Sequence, residues 1–413
     1  MKEFNFNPIV VTRQWENKYR NQLDYISPSK HKTCKVFKSK YGTQIQSPYF
    51  PNFSNKILLK YGETKLKVLR KIISGFYEIM QFFFKVGPKV QLYKAANQYL
   101  KKNDVDVIIA TGEPFILFRY AAILSKKYNI PWIADYRDPW TQDNKRGNNT
   151  IRKFWDAFLE TKTLKNAAFV TTVSPLFKEE ISTLIKKKEI YVIANGFNAE
   201  YFKNPEQLKD NEKMVICYIG TIYNWHPVES FLRTIVDLVN NKIIDIELHF
   251  YGTNKELELK QVLSKFIDKV HDYIFFHPKT RTEQLQHKLS HVNLFLLFND
   301  YENIGTKIYD YLALKRKIIL CFTDDENANK LKKIYYNIRP KKIVSATLQS
   351  DLLQLTRAGE SIKNTNQLRK VLIKTYQEFK KNGVIQIKSK NIDKYSRKNQ
   401  TKKLCNLISS INK

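Results

Sequence analysis

Acidic residues are scarce in this chain of 413 residues: 39 Asp and Glu stand against 71 Lys and Arg, a formal charge of +32. Such an excess suits nucleic acid, an anionic membrane surface or anionic small molecules. The lysines are spread along the whole chain, so a solvated surface accounts for the excess equally well. No zinc-finger, RNP-type or helix-turn-helix pattern is present, and nucleic acid is not expected as a partner. Cysteine is sparse too. Cys34, Cys217, Cys321 and Cys405 form no Cys-x-x-Cys pair, which argues against a disulfide framework or a cysteine zinc site and for a reducing compartment. Cys217 and Cys321 fall inside apolar runs and are expected to be buried thiols. The opening Met1-Lys2-Glu3-Phe4-Asn5-Phe6 lacks the apolar core of a signal peptide, and no apolar run is long enough to span a bilayer. A cytoplasmic protein is the expectation.

Several chemistries are excluded by missing motifs. Without Gly-x-Gly-x-x-Gly, dinucleotide binding is unsupported. There is no Walker-type phosphate loop and no His-Glu-x-x-His. A Ser-His-Asp hydrolase would need a Gly-x-Ser-x-Gly elbow, which is absent. No paired-Asp motif is present to hold a metal, and no bound cofactor is expected.

What is present is ample core material, 43% hydrophobic residues, at a length that suits two domains. Short apolar runs alternate with helical stretches, which argues for parallel βαβ units. In the first half the strands are expected at 8–12, 105–111, 132–134, 168–173 and 190–193, with a helix over 115–127. The polar stretch 203–213 interrupts this pattern. In the second half strands are expected at 215–221, 246–251, 274–277, 294–298, 317–322 and 343–346, with a helix over 228–239.

The most informative stretch is Asn303-Ile304-Gly305-Thr306-Lys307-Ile308-Tyr309-Asp310-Tyr311-Leu312-Ala313. It follows the apolar run 294–298, turns on Gly305 and enters a helix with Thr306 as its expected cap. Unpaired N–H groups and the positive end of the dipole favour an anion such as a diphosphate there. Lys307 adds a positive charge where it opposes the dipole, a placement that suggests a function. Glu302 and Asp310 put carboxylates on both sides. A second stretch, Pro131-Trp132-Ile133-Ala134-Asp135-Tyr136-Arg137-Asp138-Pro139-Trp140, reads as a strand running into a charged loop. Ligands of open α/β sheets bind beyond the carboxyl ends of strands, so Asp135, Arg137 and Asp138 stand where chemistry is done. A local clamp between Arg137 and a neighbouring Asp is the plainer alternative.

Both stretches resemble GT-B glycosyltransferases similar to glycosyltransferase family four. That family carries two acids separated by seven residues, the second in a helix beginning Lys-x-x-Glu-Tyr-Leu; here they are Glu302 and Asp310, with Asp in place of the second Glu. The Asp-x-Arg-Asp-Pro-Trp string is similar to a cleft-facing loop of its N-terminal domain. Gly220 and Thr221, after the strand at 215–219, resemble its Gly-x-Leu/Ile-Tyr loop. Where the family often has Arg or Lys just beyond, this chain has Asn224, Trp225 and His226, and His226 is taken first as a loop histidine. Asn198 stands where the family commonly has Asp at the end of the first domain.

The resemblance implies an α/β GT-B fold, two Rossmann-like doubly wound parallel-sheet domains facing a cleft. The expected divisions are residues 1–198, a linker at 199–213, residues 214–384, and a basic helix within 385–413 packing back on the first domain. It implies sugar transfer from a nucleotide diphosphate sugar to a glycan or lipid-linked acceptor, with retention and no metal, in cell-surface polysaccharide or lipopolysaccharide synthesis. Arg137, Asp138, Glu302 and Lys307 would be catalytic. Gly220, Thr221, Arg281, Gly305, Thr306 and Asp310 would bind the donor, and Asp135 and Glu113 would lie on the acceptor side. A catalytically inactive GT-B protein that binds a nucleotide or a partner is the competing class.

Two further expectations concern the N-terminal half. Residues 65–86 combine many apolar and aromatic positions with mostly basic charges, including Phe82-Phe83-Phe84. Such a helix can lie in the interface of an anionic membrane, placing the protein on its inner face, or can pack in the core. The family also opens with a strand and a glycine-rich turn. Residues 1–12 resemble instead the end of its first helix and its second strand, and the first glycine is Gly42. The expectation is a chain lacking that first strand.

Overall fold

The computed structural model describes residues 1–15, 23–142, 150–202, 211–265, 272–280, 282–301, 303–336 and 347–411. The chain divides into two compact units, one of Met1–Ile193 with Thr401–Lys413, the other of Ala194–Gln400. The first unit begins with β1 (Ile9–Arg13), β2 (Lys35–Ser39), β3 (Gly42–Ser47), α1 (Phe53–Tyr61), α2 (Lys67–Met80) and α3 (Val90–Leu100). Strands and helices then alternate as β4 (Ile108–Gly112), α4 (Ile116–Tyr128), β5 (Trp132–Tyr136), α5 (Thr150–Leu164), β6 (Val170–Thr172), α6 (Pro175–Leu184) and β7 (Ile190–Val192).

These strands form two sheets, β1-β3-β2 and β4-β5-β6-β7. The second is parallel throughout. In the first, β1 is parallel to β3, but β2 runs antiparallel to it, with Ser39 opposite Gly42. This hairpin departs from the expected all-parallel pattern. A connection of only Lys40 and Tyr41 is too short for a parallel crossover, so the strand must reverse. β1 and β4 each end their sheet, so each has an edge with no strand partner among the described residues.

The second unit continues with β8 (Met214–Ile219), α7 (Val228–Asn240), β9 (Ile246–Tyr251), α8 (Glu256–Ser264), β10 (Ile274–His277), α9 (Thr282–Leu289) and β11 (Leu294–Phe298). It closes with α10 (Lys307–Leu314), β12 (Lys317–Cys321), α11 (Glu326–Tyr335), α12 (Leu348–Thr356), β13 (Gly359–Ile362) and α13 (Thr365–Asn382). Its strands make one parallel sheet in the order β10-β9-β8-β11-β12-β13. All of β8 and β11 is buried, as expected for central strands covered on both faces. The expected strand at 343–346 lies outside the described residues, and β13 is the last strand of the sheet. Cys217 and Cys321 are buried, as expected, and all four cysteines are free thiols.

The last helix, α14 (Arg397–Ser409), starts in the second unit and ends in the first. Its Leu404, Leu407 and Ile408 pack with Ile133 and Phe169 of the β4–β7 sheet. The opposite face of that sheet is covered by a cluster including Phe118, Leu124, Leu159 and Ile181. Among the described residues no helix is long and apolar enough to cross a membrane.

Candidate functional site

The six-stranded sheet has one topological switch point. From β8 the chain steps outward through β9 and β10, then returns to β11 on the other side and steps outward again. A crevice opens beyond the carboxyl ends of the two strands where such an order reverses. Gly220 follows β8, and the Asn299–Thr306 stretch follows β11, so both sequence-predicted loops meet at this place.

Gly220 has φ of +112°, a region that L side chains avoid, and its N–H donates to the Tyr251 carbonyl at 2.8 Å. A Cβ here would stand 3.5 Å from Cε of Lys307, so the glycine and the lysine are neighbours. The Tyr218 hydroxyl donates to the Thr221 carbonyl at 2.8 Å and fixes the turn, with Thr221 itself exposed.

Across the switch point, the Gly305 N–H donates to Asn303 Oδ1 at 3.2 Å, and Gly305 adopts φ of +73°. Gln349 of α12 clamps the loop from behind. It accepts from the Asp300 N–H at 2.8 Å and donates to the Ile304 carbonyl at 3.1 Å. Thr306 occupies the N-cap position, but its side chain makes no capping hydrogen bond, contrary to expectation. Its backbone is already helical, at φ −101° and ψ −28°, whereas a capping hydroxyl needs an extended backbone. No cap side chain therefore occupies the first N–H groups of α10, of which the Tyr309 N–H turns back to the Thr306 carbonyl at 3.2 Å.

Lys307 opens α10 about half exposed, with Nζ 3.8 Å from Oδ2 of Asp310. Burial raises the Asp310 carboxyl, while the positive charges of Lys307 and Arg397 pull it back down. Arg397, from the far end of the unit, donates to the Gly196 carbonyl at 3.0 Å. Nothing in local sequence pattern links it to Asp310. Tyr311 is fully buried, stacks on Phe295 at 4.2 Å, and accepts the Ile219 N–H at 2.8 Å. That bond ties the end of β8 to α10 and so fixes Gly220 against Lys307. Glu302 and Arg281 lie outside the described residues.

His226 is packed edge-on against Tyr223 and Trp225 and lies against Phe298, and its Nδ1 accepts the Tyr223 N–H at 3.4 Å. Burial, helped by the Lys255 charge, pushes its pKa down to about 3. It is a neutral structural imidazole of this loop.

The first unit holds the remaining sequence-predicted residues, Asp135 inside β5 rather than in the loop expected beyond it, and the others in the loops after β4 and β5. Asp135 accepts one hydroxyl on each oxygen, from Thr171 at 2.9 Å and Thr111 at 3.1 Å. It ties β5 to both neighbouring strands. Arg137, Asp138 and Glu113 are exposed in the two loops. Sequence reasoning missed Glu160 of α5, which is fully buried. It accepts from the Tyr136 hydroxyl at 2.8 Å, from the Thr141 N–H at 3.1 Å and from the Thr141 hydroxyl. Burial raises its carboxyl, and these hydrogen bonds lower it. Trp140 of the same loop is buried and stacks on Phe115 at 4.9 Å. Among the described residues no group of three His, Cys, Asp or Glu could hold a metal ion.

A parallel doubly wound sheet with a glycine turn, a lysine and a helix N-terminus at its switch point is a Rossmann-like arrangement of a kind that suits an anion. Comparison with known proteins gives the family. Residues 58–201 match the Glycosyltransferase Family 4 model, and residues 213–331 match that of Glycosyl transferases group 1. The chain belongs to the GT-B glycosyltransferases of this family 4, group 1 type. An uncharacterized glycosyltransferase of Methanocaldococcus jannaschii, MJ1069, is 23% identical over 180 residues, 41% of this chain and 46% of the relative. The match thus spans about half the length of that curated protein. Sucrose-phosphate synthase from Thermosynechococcus elongatus is similar in fold, with TM-score 0.54, 12% identity, and coverage of 98% of this chain and 88% of that one. Anabaena HepE, solved in complex with UDP and glucose, has TM-score 0.50 at 10% identity, covering 88% of this chain and 90% of that one.

Proposed function

We propose that the protein transfers a sugar from a nucleotide diphosphate donor to a glycan or lipid-linked acceptor, with retention and without a metal. The observation that carries this reading is Lys307 against Gly220 at the switch point, beside the N-terminus of α10. Negative charge grows on the departing diphosphate, and preorganised cations and N–H groups stabilise it in the transition state. Lys307 and the first amides of α10 fill that role, with Gly220, Thr221, Gly305 and Thr306 shaping the phosphate site. Asp310 is assigned to the donor ribose, Glu302 to the sugar hydroxyls and Arg281 to the nucleotide. Arg137 and Asp138 are assigned to the reacting sugar, with Glu113 and Asp135 on the acceptor side. The UDP and glucose bound by Anabaena HepE motivate trying uridine donors first. In this reading the protein works in the cytoplasm, in cell-surface polysaccharide or lipopolysaccharide synthesis.

The split of the first unit's strands into two sheets favours a second reading, a non-catalytic nucleotide-binding protein. Release of nucleoside diphosphate from a panel of nucleotide sugars, with candidate acceptors, decides between them. The enzyme reading expects turnover of at least one donor, unchanged by EDTA. Nucleotide binding without turnover of any donor supports the second reading. Turnover abolished by EDTA and restored by manganese overturns the assignment of charge stabilisation to Lys307 and α10.

A further inference from the structure

The helix α2 is built inside out for a soluble protein. None of its residues is buried. Its small polar side faces the fold: Ser74 Oγ lies 2.8 Å from Ser54 Oγ of α1, and that serine also donates to the Arg70 carbonyl at 3.1 Å. Its apolar side faces out. Val68, Ile72, Phe76 and Ile79 fall on one helical face and are 72%, 65%, 59% and 47% exposed.

A second helix extends this surface. On α5, Ile151 and Phe154 are 84% and 82% exposed, and Phe158 continues their face one turn on. The opposite side of α5 carries the buried Leu159, Glu160, Thr163 and Leu164. The two helices are joined at their edges. Phe83, just beyond α2, stacks on Trp155 at 5.8 Å, and Arg152 pairs with Glu78 at 2.9 Å. One apolar surface therefore runs across two helices distant in sequence. Isolated exposed side chains are ordinary, but a continuous patch of this kind marks an interaction site.

Charge decides the partner. Lys65, Lys67 and Lys71 are exposed at the start of α2 and Lys85 beyond its far end, and Lys162 sits over the Phe158 ring at 5.5 Å. Of the acids nearby, Glu78 and Asp156 both pair with Arg152. A second copy docking through this face would set lysines against lysines, since a two-fold contact repeats the same patch on both sides. An anionic lipid surface answers both features. Lysines meet headgroups, and the apolar side chains enter the boundary of the acyl chains. We propose that α2 and α5 together form a membrane-docking face that lies in the interface of an anionic bilayer.

The test is co-sedimentation of the full chain with phosphatidylcholine vesicles, with and without phosphatidylglycerol. Partitioning is expected to be about tenfold or more stronger on the anionic vesicles and to fall sharply in high salt. The double variant Ile72→Ser/Phe76→Ser and the single variant Phe154→Ser are each expected to weaken it about tenfold. Their thermal transitions should stay near wild type, because these side chains lie on solvent. As a second check on folding, Lys67→Glu/Lys71→Glu should lower binding to anionic vesicles and leave the apolar face intact. Equal binding to both vesicle types, or anionic binding untouched by Phe154→Ser, overturns the two-helix face. So does a lipid-free dimer in sedimentation velocity that the same apolar substitutions abolish. Vesicle binding needs no sugar donor, so failure here and failure of the donor reading are separate results.

Discussion

The loop after β11 in the second unit and the loop after β5 in the first occupy equivalent places beyond a parallel strand, yet they are held in opposite ways. The β11 loop is held by the Asn303 side-chain carbonyl, the Gln349 amide and the Asp300 carboxylate, which accepts the Tyr336 hydroxyl at 3.0 Å, and its helix N-terminus carries no cap side chain. Its one cation, Lys307, stays about half exposed. The β5 loop is held by a buried carboxylate, Glu160, which takes the Tyr136 hydroxyl and the Thr141 N–H and hydroxyl for itself. One loop leads into a helix start without a cap side chain and with a half-exposed lysine, whereas the other closes around a buried carboxylate. The proposed donor site draws on the first of these arrangements, and the second leaves Arg137 and Asp138 exposed in their loop.

The largest expected effect sharpens the open side of this contrast. Lys307→Met keeps the stem and removes the charge. If the lysine stabilises the departing diphosphate, kcat should fall about 10²–10³-fold in steady-state assays, with the thermal transition nearly unchanged. An equal kcat with a raised KM would reduce Lys307 to ground-state binding.

The next effect probes the closed side. Glu160→Gln turns an amide donor toward groups that all donate. Denaturant unfolding should show a loss of about 2–3 kcal/mol, the cost of leaving buried donors unmet. A loss below about 0.5 kcal/mol would mean that the β5 loop is held by the Trp140 stack instead.

A smaller effect is expected at the tie between β8 and α10. Tyr311→Phe removes the acceptor of the buried Ile219 N–H and should cost about 1–2 kcal/mol. It should also weaken donor binding by loosening Gly220 against Lys307. A stability loss with unchanged donor affinity would separate the tie from the site.

The last effect is the smallest near neutral pH and appears only in acid. His226 is neutral in the fold because its pKa is pushed down to about 3, whereas the unfolded chain takes up a proton near the ordinary value of 6.5. Its stability contribution is therefore complete above about 6.5 and is lost as pH falls toward 3. Replacing it with Asn, which keeps an acceptor for the Tyr223 N–H, should flatten the acid limb of the stability profile. An unchanged limb would assign that slope to other groups.

Much of the second unit is legible in sequence. Strands β9, β10 and β11 stand where the apolar runs put them; β11, central and buried on both faces, reads as an unbroken run, and the partly buried β9 and edge strand β10 still carry enough apolar residues to be read. β2 and β3 are less legible: Val36 and Phe37 of β2 are exposed, and the buried face of β3 is only Ile45 and the polar Ser47, too little to impose an apolar pattern. β13, with only Ile362 buried among Gly359-Glu360-Ser361-Ile362, is an edge strand and reads as a loop. In the site, Gly220, Gly305 and Lys307 are legible because a strand, a turn and a helix start are local features. Glu160, Gln349, Tyr311 and Arg397 are not, because each acts on residues far along the chain and only the fold brings them together.

The central claim is that the switch point of the second unit binds a nucleotide diphosphate sugar through Lys307 and the start of α10. The most direct test is the thermal transition of the wild-type protein and of Lys307→Ala, each with uridine and guanosine diphosphate sugars. The account predicts that at least one donor raises the wild-type transition by several degrees, on the order expected for about 100-fold excess over Kd, and that the variant loses most of that shift. No shift with any nucleotide sugar, or an equal shift in the variant, would contradict it.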